Sequence, residues 1–287
     1  MDHFIEMAKR TVTFSADHPP ALRVSPEASV TFQTGDDGYQ RLSEGERVEQ
    51  IGIEKFNAVT GPVYVNGAAP GDALRVELLS VEMHRVWSVW IPGFGLLGNR
   101  TDRTQVKQIP LEDGFARISE RLRVPLEPMV GCVGVAPGSG TGSTVAPCYP
   151  WGGNMDLREF SPGATLWLPV QVEGALLSMG DFHAAMGVGE PTCVGLEGCG
   201  EATVLIDVDK EMSLDYPRLR VGEQTICVGM GSSVKEASAA AVQQAYEVLT
   251  EGHDMSPIEA YAYASARVEL RFGGPASPAV LAVIPDP

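Results

Sequence analysis

Apolar and polar residues alternate over strand-sized stretches along most of this chain. ALRVSP at 21–26, ASVTFQT at 28–34 and ALRVELLSVEM at 73–83 each show the two-residue period of a half-buried strand. ATLWLPVQV at 164–172, ALLSMG at 175–180 and EATVLIDVD at 201–209 form a second cluster. Turn formers punctuate these segments, among them APGD at 69–72, where proline fixes one dihedral and glycine permits an unusual one. The pattern predicts a turn-rich, mainly β, sandwich-like body through about residue 230, in one compact domain spanning 1–287.

The period changes after that point. SSVKEASAAAVQQAYEVLTEG at 232–252 carries Val234, Ala237, Ala241, Tyr246 and Leu249 at roughly helical spacing. Ser233 with Glu236 three positions on has the form of a capping box, and Gly252 can end the turn. A helix is expected over about 233–250. A second is expected over about 257–266, opened by Pro257, with AYASARVELRF turning from helix to strand near residue 266. Both read as accessory helices packed on a sheet. The glycine-rich stretch 131–153 looks the loosest. It lacks the lysine and hydroxyl ending of a phosphate loop, so an ordered loop walling a pocket is expected there.

Charge narrows the partners. Acids outnumber bases 37 to 21, and a net charge of −16 argues against nucleic acid or an anionic membrane surface. No apolar run reaches the length of a membrane span, and the N-terminal residues lack a secretory pattern, so a cytoplasmic location is expected. The five cysteines are odd in number and contain no CxxC pair, which favours buried free thiols over a disulfide scaffold.

Candidate chemistry concentrates in GDFHAAMGVGE at 180–190. In an extended strand Asp181 and His183 share one face. Such a pair can join other carboxylates around a divalent cation, exchange protons without one, or merely satisfy a turn and a core position. GGNMD at 152–156 and LEGCGE at 196–201 supply further acids and an amide.

Taken together, the ordered motifs resemble the acetamidase/formamidase family. They are GPVYVNGAAPGDALRVELLSVE at 61–82, GCVGVAP at 131–137, GGNMD at 152–156 and LWLPVQVEGALLSMGDFHAAMGVGE at 166–190, with VTFQTGDD near residue 37. The resemblance implies a β sandwich-like body and hydrolysis of a small primary carboxamide to carboxylate and ammonia at a metal-associated site. It also implies a homo-oligomer. By motif position it implies Glu190 and His183 as catalytic, and Asp37, Asp156, His183 and Glu197 as ligands of a divalent ion, zinc first and calcium second. Asn154, Phe182 and Met186 are the expected substrate contacts, and His84 is expected at most on the rim. Phe182, Met186 and Val188 depart from the residues common in the family, as does Asn66, and the first three predict a more apolar pocket and a bulkier amide. The competing readings are a noncatalytic cation- or ligand-binding sandwich and a hydrolase of cyclic amides.

Overall fold

A computed structural model describes residues 2–287. Its architecture is mainly β with a minority of helix, as the alternation predicts. The first strands that position the site are β1 (Ala28–Gln33), β2 (Val59–Val65), β3 (Ala73–Trp90) and β4 (Met129–Gly134). They are followed by β5 (Gly152–Asn154), β6 (Thr165–Pro169), β7 (Ala175–Ala185) and β8 (Leu196–Asp209). The last four are β9 (Arg218–Val221), β10 (Gln224–Met230), β11 (Glu269–Phe272) and β12 (Ala279–Pro285). Among the described residues they belong to one hydrogen-bonded sheet with the order β5-β4-β7-β8-β3-β6-β9-β10-β12-β11, while β1 pairs with β8 and β2 with β7.

Alternation sets what this sheet encloses. On β3, Leu74, Val76 and Leu78 turn inward, and on β8 Ala202, Val204 and Ile206 do the same. They meet Val30 and Phe32 of β1, Val63 of β2 and Phe182 of β7 in the main core. Each such side chain, fully buried, contributes about 1.5–3 kcal/mol. β8 carries register shifts between Cys199 and Gly200 and between Thr203 and Val204. Extra residues of this kind bend a strand and increase its twist.

Two short helices interrupt the predominantly β region that the sequence predicts through residue 230. α1 (Asp37–Ser43) and α2 (Val48–Ile51) lie between β1 and β2. Their Tyr39, Leu42 and Ile51 pack on Trp87 and Val89 of β3 as a separate apolar cluster. The pattern missed them because they are too short to display a helical period.

The later helices follow the prediction closely. α3 runs Val234–Glu247 and continues into a π-helical turn at Val248–Gly252. The Ser233 hydroxyl accepts from the Glu236 backbone N–H at 3.2 Å, while Glu236 Oε2 turns back to the Ser232 N–H at 2.9 Å. The second half of the expected capping box therefore closes one residue early. α4 (Pro257–Arg267) begins on a Ser256/Glu259 capping box with Pro257 in its first turn. Ala237, Ala241, Ala245 and Leu249 press on Val280, Ala282 and Ile284 of β12. A Cβ at Gly229 would stand 2.1 Å from the Ala237 carbonyl, so only glycine allows α3 this close to β10. The sheet resumes after α4 with β11, as the switch near residue 266 predicts.

The 131–153 stretch needs correction. Met129–Gly134 is a fully buried strand, its apolar residues spaced by glycines that allow close neighbours. Beyond it the chain loops around a short strand at Thr141–Ser143 before reaching β5, and Val145 and Ala146 there do wall a pocket. All five cysteines are free, four of them buried. No helix among the described residues is long and apolar enough to cross a membrane.

Candidate active site

β7 supplies the centre of the site. Asp181 and His183 project to one side, with the imidazole Nε2 3.4 Å from Asp181 Oδ1. Phe182, between them, projects into the main core. The neighbouring strand places Glu197 directly across from His183 in register, and its Oε2 lies 3.2 Å from the same Nε2. Asp156 follows β5 and brings Oδ1 to 4.0 Å from that nitrogen. Glu190 completes the group. Asp156, His183 and Glu190 form one buried triple, and Asp181, His183 and Glu197 a second, each with candidate ligand atoms within 4.8 Å of one another.

The backbone is bent to achieve this. Asp156, Asp181 and Glu190 have φ values of 46°, 58° and 39°, a left-handed conformation costly for residues with a Cβ. Strain of about 1–3 kcal/mol per residue persists where surrounding structure enforces it, and functional sites are where it collects. Gly131 of β4 makes the room: a Cβ there would sit 2.5 Å from Asp156 Oδ1 and 2.7 Å from Asp181 Oδ2.

Four buried carboxylates around one imidazole perturb each other strongly. Burial, reinforced by the charge of Asp181, pushes Asp156 up to about 7. Burial and the charge of Asp156 push Glu190 up to about 10. Asp181 is also raised by burial, with His183 opposing the shift. For His183, burial disfavours the cation, but Glu197 and Asp181 outweigh it and raise the imidazole well above its ordinary value. Glu197 alone among the four carboxylates is lowered, because His183 and the Gly195 N–H overcome its burial.

The carboxylate oxygens are not treated alike. Glu197 Oε1 accepts from the Gly195 N–H at 2.6 Å, and Oε2 accepts from the Tyr39 hydroxyl at 3.2 Å. Asp181 Oδ2 accepts from Asn57 Nδ2 at 3.1 Å. The same amide reaches Asn154 Oδ1 at 3.2 Å, and Asn154 donates to the Val145 carbonyl at 3.1 Å. Asp156 Oδ1, by contrast, is buried and has no donor. A buried carboxylate oxygen facing other carboxylates without a donor requires a proton or a cation.

The donor set fits a small divalent ion. A tetrahedral ion bound at about 2.0–2.2 Å separates its ligands by about 3.3–3.6 Å. The separations of 3.2 and 3.4 Å from His183 Nε2 to Glu197 and Asp181 lie close to that range. The buried Asp/His/Glu cluster can thus coordinate a divalent cation.

Above the cluster opens a cavity of about 260 Å³. Asp156, Asp181, His183, Glu190 and Glu197 form its polar floor, with Asn154 beside them. The described lining includes no lysine or arginine.

Several expected residues stand elsewhere. Asp37 lies in the first turn of α1, paired with Arg10, its side chain 43% exposed. It is outside the cluster because the helix turns it outward, and Asp36 is the residue buried there. Phe182 is core, since the alternation that joins Asp181 to His183 sends their neighbour to the opposite face. Met186 sits behind the imidazole, its sulfur 3.3 Å from His183 Nδ1, where it restrains the ring. Val188 is exposed, and His84 lies on the surface near Glu82. Two site residues escaped the sequence reading: Tyr39 and Asn57 come from over a hundred residues away and had no local signal. Asp181 was already paired with His183 by its spacing, although motif position gave it no role.

Known proteins share this arrangement of chain. The sequence profile of the Acetamidase/Formamidase family matches residues 7–144 and 138–277. The crystal structure of a recombinant predicted acetamidase/formamidase from Thermoanaerobacter tengcongensis superposes with a TM-score of 0.92 at 29% identity, covering 99% of this chain and 96% of that one. The crystal structure of an acetamidase from Bacillus halodurans gives 0.90 at 29% identity, over 98% and 97%. An acetamidase of Mycolicibacterium smegmatis is 25% identical over 282 residues, 73% of this chain and 69% of its own.

Proposed function

The chain belongs to the acetamidase/formamidase family, a family of amide-hydrolysing enzymes, and on that premise we propose that it hydrolyses a primary carboxamide to carboxylate and ammonia at the His183 cluster. The observation that carries this reading is the buried Asp156 Oδ1, without a donor, facing the same imidazole nitrogen as two other acids.

Asp181, His183 and Glu197 would hold a divalent ion, zinc by preference. Asn57 and the Gly195 N–H tie down the outer oxygens of Asp181 and Glu197, and Tyr39 donates to the inner Oε2 of Glu197, as residues around metal ligands do. Asp156, assigned to the ligands by motif position, is the more distant at 4.0 Å and lacks such support. It suits a ligand that changes partner, or the proton-carrying side of the site. A bound ion would polarise the amide carbonyl and make water easier to deprotonate.

The remaining work falls to the side chains. Glu190, held protonated up to about 10 without a cation, becomes easier to ionise once positive charge enters the site. As carboxylate it takes a proton from water, and the oxygen adds to the amide carbon. As carboxylic acid it returns that proton to nitrogen while the C–N bond breaks. Ammonia leaves, and the new acid loses its own proton. Asn154 stands at the edge of the floor with its carboxamide fixed between Asn57 and Val145, able to orient the substrate amide.

Ammonia release from a primary-amide panel, before and after chelation and after zinc is returned, tests the reading. Turnover that falls on chelation and recovers with zinc is expected. Ring opening without ammonia would assign the site to cyclic amides, and full turnover in metal-free protein would remove the cation from the mechanism.

A further inference from the structure

The cavity above the acids is built from two unlike halves. Its floor is charged, but Ile53, Phe56, Val89, Ile91 and Phe94 form an apolar wall, faced by Val145 and Pro275. The wall is continuous with the floor through Tyr39, whose hydroxyl donates to Glu197 while its ring stands edge-on to Phe56 at a centroid distance of 5.1 Å. Phe56, Val89 and Ile91 are anchored in the α1–β3 apolar cluster, so this wall is preformed.

Its size and exposure carry the argument. One water needs about 10–15 Å³ of such space, against the about 260 Å³ available here. Formamide and acetamide would occupy the floor and leave the wall facing solvent. At the mouth Ile53 is 40% exposed and Phe94 39% exposed, an apolar surface that water covers unfavourably and an apolar ligand would cover well. With no lysine or arginine among the described lining residues, nothing there would pair an anionic substituent.

We propose that the substrate is a neutral primary amide whose acyl group carries a ring-sized apolar substituent, seated on the Ile53–Phe56–Val89–Ile91–Phe94 wall with its carboxamide on the acidic floor. This rests on the amide-hydrolase reading and specifies its substrate class. The hydrolysis balances as above: water supplies oxygen to the acyl carbon and protons to the departing nitrogen. The product is an apolar carboxylate, which the acids of the floor would repel and so help to release. Phe182, Met186 and Val188, from which the sequence predicts a more apolar pocket, do not line this cavity; its apolar wall stands on other residues.

Two measurements with phenylacetamide and acetamide separate this inference from the reading beneath it. Calorimetric binding to zinc-loaded Glu190→Gln protein should show phenylacetamide at least about tenfold tighter, since added apolar groups in a fitting pocket are worth that much or more. Ammonia release by wild type should give phenylacetamide the higher kcat/KM. An Ile53→Ser/Phe94→Ala double variant, altered only at the partly exposed mouth, should lower the phenylacetamide-to-acetamide ratio of kcat/KM at least about fivefold. Equal affinities, or an unchanged ratio in the variant, would overturn the apolar-wall assignment even if acetamide is turned over. Tight phenylacetamide binding with no ammonia from either amide would keep the wall and overturn the hydrolytic reading.

Discussion

Asp36 and Asp156 are both buried aspartates, and they solve the burial of a carboxylate in opposite ways. Asp36 collects donors: Gln40 Nε2 at 2.8 Å and Arg85 Nη2 at 2.7 Å on Oδ1, and the Trp87 indole N–H at 2.8 Å on Oδ2. It fastens α1 to β3. Asp156 collects rivals: Asp181 and Glu197 raise its pKa further after burial, and its Oδ1 has no donor. A satisfied buried acid holds a structure together. An unsatisfied one, kept in place by strained backbone and by the space at Gly131, is held ready for a proton or a cation.

The largest test of this contrast is His183→Ala. Removing the nitrogen that Asp156, Asp181 and Glu197 share should lower kcat/KM by about 10³-fold and release the bound ion, with the circular dichroism spectrum retained. Near-normal kinetics in a folded variant would dissolve the site. Glu190→Gln keeps size but cannot shuttle a proton, and kcat should fall by about 10²-fold while the metal content stays at the wild-type level. An unchanged kcat would take Glu190 out of proton transfer.

Protonation offers a test without turnover. In the cation-free protein Glu190 holds its proton up to about 10 and Asp156 up to about 7, while the unfolded chain loses them near 4.5 and 3.8. His183 is raised as well. Raised groups add stability at low pH that drains away as pH climbs through their folded values. The opposite contribution of the lowered Glu197 is already complete above the ordinary glutamate range. Chelated protein should therefore lose melting temperature between pH 5 and 9 more steeply than zinc-loaded protein, by several degrees, because the ion replaces the protons. Parallel curves by calorimetry would contradict the cluster's electrostatics.

The adjacent acids at 36 and 37 give the smallest effects and the sharpest control. Asp36→Ala should cost about 1–3 kcal/mol in urea unfolding by stranding its donors, with metal content unaltered. Asp37→Ala breaks an exposed pair with Arg10, worth about 0–1 kcal/mol, and should leave metal content and stability nearly untouched. Loss of the ion in Asp37→Ala would restore it as a ligand.

Much of this was legible in the sequence because it is local. The two-residue period found the strands, the apolar stripe found α3, and Pro257 marked the start of α4. The spacing of Asp181 and His183 already implied one shared face, but the same rule sends Phe182 to the opposite face, against its expected place at the substrate. What stayed hidden depends on pairing between distant segments. Nothing local reveals that β8 sets Glu197 opposite His183, or that Tyr39 and Asn57 arrive from the other end of the chain. The choice of Asp37 over Asp36 shows the limit: one residue's rotation on a short helix decides which acid is buried, and burial marked the structural acid here.

The most direct measurement is zinc titration into chelated wild-type protein at pH 7.5, by calorimetry in two buffers of different ionisation heat with ammonia release followed in parallel. The account predicts one tightly bound ion per chain, release of at least about one proton as the ion displaces those held by the His183 cluster, and activity rising with occupancy. Absence of binding, or binding with neither proton release nor gain in turnover, would contradict it.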